Sequence, residues 1–369
     1  MYLFLLAGIV AAVFIGVYGY FYLKRMLEFF HLQNEAAKKV VALIGGIFLG
    51  ASCLNVWSTP AIIVLHIVGI QLLVQFIVCL VRRTTKGESG KVRSVVERMY
   101  QSGMVPLVAV ALILLLAHAN MTHPVQTNYT VASDKLKTNY NVLLITDTHF
   151  GTIQKKEILE NKIADINKNA LDFAILGGDI VEEGTTKEEM EQVFSILGNI
   201  NTKYGIYYVY GNHDRQPYTQ DKAYTVSELE QAMDDNGITL LQDSYVSIGE
   251  ELLLAGRDDA AWGNTSGRAD IDTLLYGADA KRFVIVADHQ PIEAEENGAW
   301  GVDLEVSGHT HAGQVWPVGV ISELTGVLNY GEYEKNGCKV IVSSGFAGWG
   351  YPFRTEQRSE YVILHLQPQ

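Results

Sequence analysis

The sequence has little cysteine, which limits how the chain can be stabilised. Its 369 residues include only Cys53, Cys79 and Cys338, and the first two lie in apolar runs. A single cysteine after residue 123 excludes a disulfide framework or a cysteine-based zinc site in that part of the chain. Internal repeats and low-complexity tracts are also absent from the sequence.

Positive charge is scarce and unevenly distributed. Residues 1–123 contain 10 of the 28 Lys and Arg residues but only 4 of the 41 Asp and Glu residues, a net charge of +6. Residues 124–369 contain the other 18 basic and 37 acidic residues, a net charge of −19. Such an acidic region repels phosphate backbones, so no nucleic-acid partner is expected. Phosphate chemistry remains possible, because bound metal ions reverse the local sign.

The first third of the chain is dominated by apolar segments that predict an all-α membrane region. A membrane-spanning helix needs about 20 mostly apolar residues. The first segment lacks the basic start and the small-residue cleavage site of a signal peptide, so we expect a retained helix. We predict about four spans within residues 1–119, at residues 2–23, 40–56, 61–81 and 104–119.

Two basic loops orient these spans. Residues 24–39 contain four Lys or Arg residues, and residues 82–102 contain six, including Lys86. The positive-inside rule places both loops in the cytoplasm. The sequence therefore predicts a multi-pass protein of the cell membrane whose region after residue 119 is extracytoplasmic. Residues 120–140 are polar without a clear period and are interpreted as a linker.

From residue 141 onwards, strand-like apolar runs alternate with helix-like stretches. This alternation predicts an α/β domain with buried sheets over residues 141–369. Its polar motifs follow directly after predicted strands, where α/β folds place their ligands.

Five motifs in this region contain five of the ten histidines in the chain. Carboxylates and imidazoles are the groups that a divalent metal needs to activate water near neutral pH. Residues two apart on an extended segment point the same way, so Asp147 with His149, and His309 with His311, can each face one site. Each motif alone also fits a polar turn, and only their combination is specific. The motifs are Asp147-Thr148-His149, Gly177-Gly178-Asp179, Gly211-Asn212-His213-Asp214, Asp288-His289-Gln290-Pro291 and Gly308-His309-Thr310-His311.

In order, spacing and strand context, these motifs resemble the calcineurin-like metallophosphoesterase superfamily over residues 141–366. The apolar spans, the segment Gly308–Trp316 and the Gly-rich segment 344–354 resemble its membrane-anchored YaeI/YkuE-like members and the transmembrane protein with metallophosphoesterase domain. The resemblance implies a four-layer α/β/β/α sandwich that follows the membrane region.

The same resemblance implies two divalent metal ions and a role for each motif residue. It assigns Asp147, His149 and His311 to the first metal, and Asn212, His289 and His309 to the second. Asp179 bridges the two metals. His213 stabilises the transition state or protonates the leaving oxygen, and Asp214 orients it. Mixed nitrogen and oxygen ligands suit Mn²⁺, Fe, Zn²⁺ or Ni²⁺ without selecting one.

Two further sets of residues leave alternatives open. Arg354 fits a substrate-binding residue that pairs with a phosphate, and it equally fits a surface arginine. Trp300, Trp316 and Trp349 lie near the motifs, where they could pack, shape a groove or contact lipid headgroups.

The sequence therefore predicts a membrane-anchored, metal-dependent phosphoesterase that uses a metal-activated water. Its substrate is a phosphomonoester, a phosphodiester or a pyrophosphate, and the membrane anchor suggests a lipid-linked one. The alternatives are a hydrolase like UDP-2,3-diacylglucosamine pyrophosphatase and a catalytically silent membrane receptor that retains the fold. A transporter with a regulatory domain is disfavoured, because the spans contain few charged residues.

Overall fold

The computed structural model of the protein describes residues 2–56, 58–85, 90–260 and 265–369. Lys86, which we counted in the second basic loop, lies outside these ranges. The chain divides into two compact units, residues 1–115 and residues 116–369.

The N-terminal region is helical, as predicted. Three of its helices are long and apolar enough to cross a membrane, over Gly8–Phe29, Thr59–Thr84 and Met104–Thr122. The second predicted span, residues 40–56, is not among them, because its helix ends at Ser52 and includes Glu35, Lys38 and Lys39 in its 18 residues. The second basic loop contains a further helix. The helices are α1 (Tyr2–Phe29), α2 (Glu35–Ser52), α3 (Thr59–Thr84), α4 (Lys91–Ser102) and α5 (Met104–Thr122).

Glycines allow α1 and α2 to pack closely. A Cβ atom on Gly46 would lie 2.7 Å from the carbonyl oxygen of Gly16. A Cβ on Gly50 would likewise clash with the carbonyl oxygen of Ala12. Small residues at such positions are typical of helix pairs in membranes, where close backbone approach replaces the hydrophobic effect.

The second unit contains two six-stranded sheets. The first has the order β1-β12-β2-β3-β4-β5 and the second the order β10-β11-β9-β8-β7-β6. Strands β2 to β5 run parallel in the first sheet, and β7, β8, β9 and β11 run parallel in the second. The strands are β1 (Val125–Ser133), β2 (Tyr140–Ile145), β3 (Phe173–Leu176), β4 (Ile206–Tyr208), β5 (Ile238–Leu240), β6 (Ser244–Ile248), β7 (Leu252–Gly256), β8 (Phe283–Ala287), β9 (Leu304–Ser307), β10 (Gly331–Lys335), β11 (Cys338–Val342) and β12 (Glu360–Pro368).

Helices cover the outer face of each sheet, which confirms the four-layer α/β/β/α fold. Alternation along β2 illustrates the layering: Leu143 and Ile145 pack in the core beneath the helices, while Val142 and Leu144 pack between the two sheets. A third core lies between the second sheet and its helices. The helices of this unit are α6 (Lys156–Ile166), α7 (Lys187–Leu197), α8 (Val226–Asp235), α9 (Ile271–Leu274), α10 (Ala294–Trp300) and α11 (Val318–Leu324).

The structure corrects the prediction that residues 120–140 form a linker. Residues 125–133 form β1, which pairs in parallel with β12 over nine residues at the edge of the first sheet. Alternate residues from Val125 to Val131 are more buried than their neighbours, which is the period-2 pattern of a strand with one covered face. The polar side chains on the other face hid this pattern in the composition of the segment.

Candidate metal centre

The predicted ligands converge because each follows the carboxyl end of a parallel strand. Asp147 and His149 follow β2, Asp179 follows β3, and Asn212 follows β4 in the first sheet. In the second sheet, His289 follows β8, and His309 and His311 follow β9. The carboxyl ends of parallel strands meet at one edge of a sheet, so loops from both sheets can face one another there.

Six of these side chains form two clusters that could each hold a metal ion. The first cluster is Asp147, His149 and His311, and the second is Asp179, His289 and His309. Within each cluster the candidate ligand atoms lie within 4.8 Å of one another. The resemblance assigned Asn212 to the second metal together with His289 and His309, with Asp179 as the bridge, and this division of ligands between the metals stays a prediction.

Asp179 lies between the two clusters. Its Oδ2 atom is 3.1 Å from Nε2 of His289 in the second cluster and 4.0 Å from Nε2 of His149 in the first. A carboxylate in this position has an oxygen available to each of two ions. The side chain is 1% exposed.

The hydrogen bonds of the imidazoles leave metal-binding nitrogens available. Nδ1 of His289 donates to the carbonyl oxygen of Gly177 at 2.8 Å, and Nε2 points into the site toward Oδ2 of Asp179. Nδ1 of His149 lies 3.0 Å from Oε2 of Glu182, and its Nε2 has no hydrogen-bond partner. A carboxylate or carbonyl behind a histidine is the usual way to orient a metal ligand.

Asn212 also fits a metal site. It is 6% exposed, and its Oδ1 atom has no hydrogen-bond partner. A buried amide oxygen without a partner costs free energy unless a ligand satisfies it. The next residue connects this loop to the centre, because the N–H of His213 donates to Oδ1 of Asp179 at 2.8 Å. The donor set of carboxylates, imidazoles and one amide suits divalent transition metals.

Burial and charge set the protonation of the ligands. Burial, with a contribution from the nearby His289, lowers the pKa of His309 to about 4. Burial also lowers the pKa of His311 well below its ordinary value. Burial opposes ionisation of Asp179, but the neighbouring His289 outweighs it and lowers the pKa of the carboxyl. Neutral imidazoles and an ionised carboxylate are the forms that bind metals.

His213 lies beside the clusters, and its partner differs from our prediction. Its Nδ1 atom is 2.6 Å from Oε2 of Glu183, not from Asp214. Burial alone would lower the pKa of His213, but the hydrogen bond that its Nδ1 donates to Glu183 and the charge of Asp179 raise it. A histidine with a raised pKa carries the proton that a general acid needs.

Asp214 instead holds the loops together. It is fully buried and accepts hydrogen bonds from backbone N–H groups that follow β3 and β4, at distances of 2.6 to 3.2 Å: Asp179, Ile180, Val181 and Gly211. A side chain engaged by four backbone donors cannot also orient an imidazole. The predicted role of Asp214 as the partner of His213 is therefore wrong.

Arg354 also has a different environment from the one we predicted. It is 0% exposed, and its guanidinium donates to the carbonyl oxygens of His311 at 2.6 Å and Ala347 at 2.9 Å. A substrate phosphate cannot reach this group. Arg354 instead supports the backbone of the proposed ligand His311. The prediction that Arg354 binds substrate is therefore wrong.

The sequence reasoning missed several residues at this centre. Glu182 and Glu183 follow Asp179 by three and four positions, and that spacing was the available signal for them. Tyr218 and Trp349 lie on either side of His213, with ring centroids 5.2 and 5.4 Å from its imidazole. Both rings are more than 40% exposed, so they border the opening of the site.

A family model for the calcineurin-like phosphoesterases matches residues 140–313. These residues include all of the proposed ligands. The chain contains a calcineurin-like metallophosphoesterase domain.

Related chains occur in bacteria and animals. An uncharacterised metallophosphoesterase of Helicobacter pylori is 29% identical over 64% of this chain and 62% of its own. The metallophosphoesterase YkuE of Bacillus subtilis is 25% identical over 65% of this chain and 85% of its own. A Danio rerio transmembrane protein with metallophosphoesterase domain is 25% identical over 73% of this chain and 63% of its own.

The match to the Helicobacter pylori and Danio rerio relatives therefore spans less than two thirds of their lengths. Among solved structures, a dimetal phosphatase from Danio rerio aligns with 56% of this chain and 87% of its own, at a TM-score of 0.41 and 12% identity. The three candidate spans, together with the similarity to transmembrane proteins, support a membrane localisation of this chain.

Proposed function

We propose that this protein is a membrane-bound phosphoesterase that uses two divalent metal ions to hydrolyse a phosphomonoester, a phosphodiester or a pyrophosphate. The observation that carries the proposal is the pair of ligand clusters on either side of Asp179, with His213 beside them. When bound, two such ions polarise the phosphoryl oxygens and lower the pKa of a water so that it can attack phosphorus.

The residues of the chain supply the other parts of the reaction. Asp147, Asp179 and the buried imidazoles fix the geometry at which the phosphoryl group is held. His213 protonates the leaving oxygen, and Glu183 keeps its Nδ1 atom occupied so that Nε2 faces the substrate. Trp349 and Tyr218 limit the access of bulk water on either side of that imidazole.

The experiment uses the full chain in detergent, because Ala117 and Asn120 in the last turns of α5 accept hydrogen bonds from Arg354 and Ser359. The protein is loaded with Mn²⁺ and assayed with bis-p-nitrophenyl phosphate and p-nitrophenyl phosphate. We expect metal-dependent turnover that is lost in Asn212→Ala and His213→Ala, and the ratio of the two rates separates diesterase from monoesterase activity. Absence of turnover in protein that has bound two metal equivalents would favour the silent-receptor alternative.

For the orientation, we propose that α2 pairs with α1 as a fourth span and that the catalytic unit is extracytoplasmic. A helix of 18 residues is about 27 Å long, near the lower limit for a span. With four spans, the two basic loops at residues 24–39 and 82–102 then both lie in the cytoplasm. The test replaces Cys79 with serine, introduces Tyr276→Cys and treats intact cells with a membrane-impermeant maleimide. Labelling only after the cells are broken would contradict the proposal.

A further inference from the structure

Five large apolar side chains are exposed on and around α11. The exposed fractions are 60% for Trp316, 49% for Val320, 54% for Ile321, 82% for Leu324 and 46% for Val327. We call these five residues the α11 patch. Helical geometry places Val320, Ile321 and Leu324 within an arc of about 100°. A cluster of this kind marks an interaction surface more often than a solvated one.

The end of α5 lies close to the segment that supports this patch. The carbonyl oxygen of Ala117 accepts from the N–H of Arg354 at 3.0 Å, and that of Asn120 accepts from the N–H of Ser359 at 3.0 Å. Helix α5 has 19 residues and is about 28 Å long, which matches the thickness of the bilayer hydrocarbon. A membrane span by α5 would place its last turns at a membrane surface, and residues 354 and 359 bond to those turns.

Hydrogen bonds connect the α11 patch to the same segment. The N–H of Trp316 donates to Oγ1 of Thr355 at 2.9 Å. The N–H of Gly319, in the first turn of α11, donates to Oε2 of Glu356 at 2.9 Å. The α11 patch is therefore held by hydrogen bonds to the segment that contacts the last turns of α5.

The patch also borders the metal centre. Helix α11 begins seven residues after His311. Between them, Oε1 of Gln314 accepts from the N–H of Trp349 at 2.8 Å, and the ring of Trp349 is 5.4 Å from that of His213. The patch and the opening of the site are therefore parts of one surface.

We propose that the α11 patch inserts into the interfacial layer of the bilayer and turns the metal centre toward phosphoester headgroups of membrane lipids. A bilayer is the occupant that the contacts with α5 favour, and a tryptophan at the edge of the patch suits the headgroup region. The assignment of a lipid headgroup as substrate rests on the proposed phosphoesterase function, whereas the insertion does not.

The first experiment measures insertion without using activity. Full-length protein with Cys79→Ser receives one new cysteine, Leu324→Cys, which carries the fluorophore NBD. Cys53 and Cys338 are buried and are expected to resist labelling. The control position is Tyr276, which is 86% exposed and contacts Tyr245 on β6, at the opposite edge of the second sheet from β10. The labelled proteins are reconstituted in phosphatidylcholine vesicles that contain a shallow doxyl-labelled lipid.

The label at position 324 is expected to be quenched several-fold more strongly than the label at position 276. Equal quenching at the two positions would overturn the proposal. A blue-shifted emission at position 324 without lipid quenching would also overturn it, because it would indicate that a second copy or another protein covers the patch.

The second experiment tests the substrate class with the same vesicles. Leu324→Glu is compared with Tyr276→Glu on two probes, phosphatidyl-p-nitrophenol in the bilayer and soluble bis-p-nitrophenyl phosphate. We expect Leu324→Glu to lower lipid hydrolysis about tenfold while hydrolysis of the soluble probe stays unchanged, since a charge at this depth opposes insertion. Equal losses on both probes would refute the lipid assignment. If wild-type protein hydrolyses neither probe, the proposed function fails, while the quenching result still decides whether the patch inserts.

Discussion

Most of the proposed metal ligands have a backbone conformation that residues with side chains normally avoid. Asp147, His149, Asp179, His309 and His311 all have positive φ angles, between 42° and 70°. Each such residue costs about 1–3 kcal/mol and persists only where its surroundings fix it. Backbone hydrogen bonds fix two of these residues here. The N–H of Asp147 donates to the carbonyl oxygen of Gly178, and the N–H of His149 donates to that of Asp179. The fold therefore positions the ligands through its own hydrogen bonds.

At the same scale, Glu183 and Asp214 have different roles that mutation can separate. We expect Glu183→Gln to lower kcat about 10- to 100-fold with the bound-metal stoichiometry unchanged, because only the orientation and charge of His213 are affected. Asp214→Asn is expected to lower the melting temperature, because an amide accepts the hydrogen bonds from the four backbone N–H groups less well than the carboxylate does. Kinetics with metal analysis and thermal unfolding measure the two effects. A stable Asp214→Asn protein with a selective loss of kcat would instead restore the predicted role of Asp214.

Glu305 is a buried carboxyl group away from the metal ligands, and it makes stability depend on pH. Burial, together with the charge of Asp288, raises its pKa to about 7. The folded state therefore disfavours the ionised form, so the contribution of Glu305 to stability is fully present below about pH 4.5 and is lost as pH rises through 7. In Glu305→Gln the amide oxygen can still accept from Asn297, and this loss is removed.

We expect Glu305→Gln to exceed the wild type in free energy of unfolding by about 3 kcal/mol at pH 8 and to match it near pH 4.5. Chemical denaturation at both pH values measures the difference, with the exposed Glu334→Gln as the control. A constant difference between Glu305→Gln and the wild type across this range would show that Glu305 does not cause the pH dependence.

At the scale of elements, loops after neighbouring strands approach so closely that some positions admit only glycine. A Cβ atom on Gly308, directly after β9, would lie 2.6 Å from Oγ1 of Thr146 and would clash with Oδ2 of Asp147. The substitution Gly308→Ala therefore displaces a metal ligand that belongs to the other sheet.

We expect Gly308→Ala to reduce metal affinity at least tenfold, measured by calorimetric titration of the metal-free protein with Mn²⁺. Gly267→Ala is the matched control, because a Cβ there meets nothing within 4 Å. Unchanged affinity in Gly308→Ala would mean that the loops after β2 and β9 can separate without loss of the site.

The sequence predicted the elements whose signals are local. Strand β3, Phe173–Leu176, is a short apolar run followed by two glycines, which is the kind of run that the sequence analysis interpreted as a strand. Strand β1 was missed because its partner β12 lies more than 200 residues away, and half of its side chains are polar. The partner of His213 and the burial of Arg354 were missed for a related reason. Both depend on which loops meet in space, and spacing along the chain does not specify that.

At the scale of the whole molecule, the membrane region contains its own specific packing. The contact of Gly46 with Gly16 leaves no room for a side chain between α1 and α2. We expect Gly46→Leu to destabilise this pair by about 1–3 kcal/mol, because it forces the helices apart. The control is Gly69→Leu on α3, where a Cβ meets nothing within 4 Å. Thermal unfolding of both variants in the same detergent compares them, and equal melting temperatures would contradict close packing of α1 with α2.

Arg354 has one further consequence. Its N–H donates to Ala117 in α5, and its guanidinium donates to the carbonyl oxygen of the ligand His311. A single residue thus bonds both to the last turns of α5 and to the backbone of a proposed metal ligand, all within the second compact unit. A helix tilts to match the thickness of its bilayer. We therefore expect that a shift of the last turns of α5 would strain the bond behind His311, so that the rate of the proposed reaction would depend on the acyl-chain length of the host membrane.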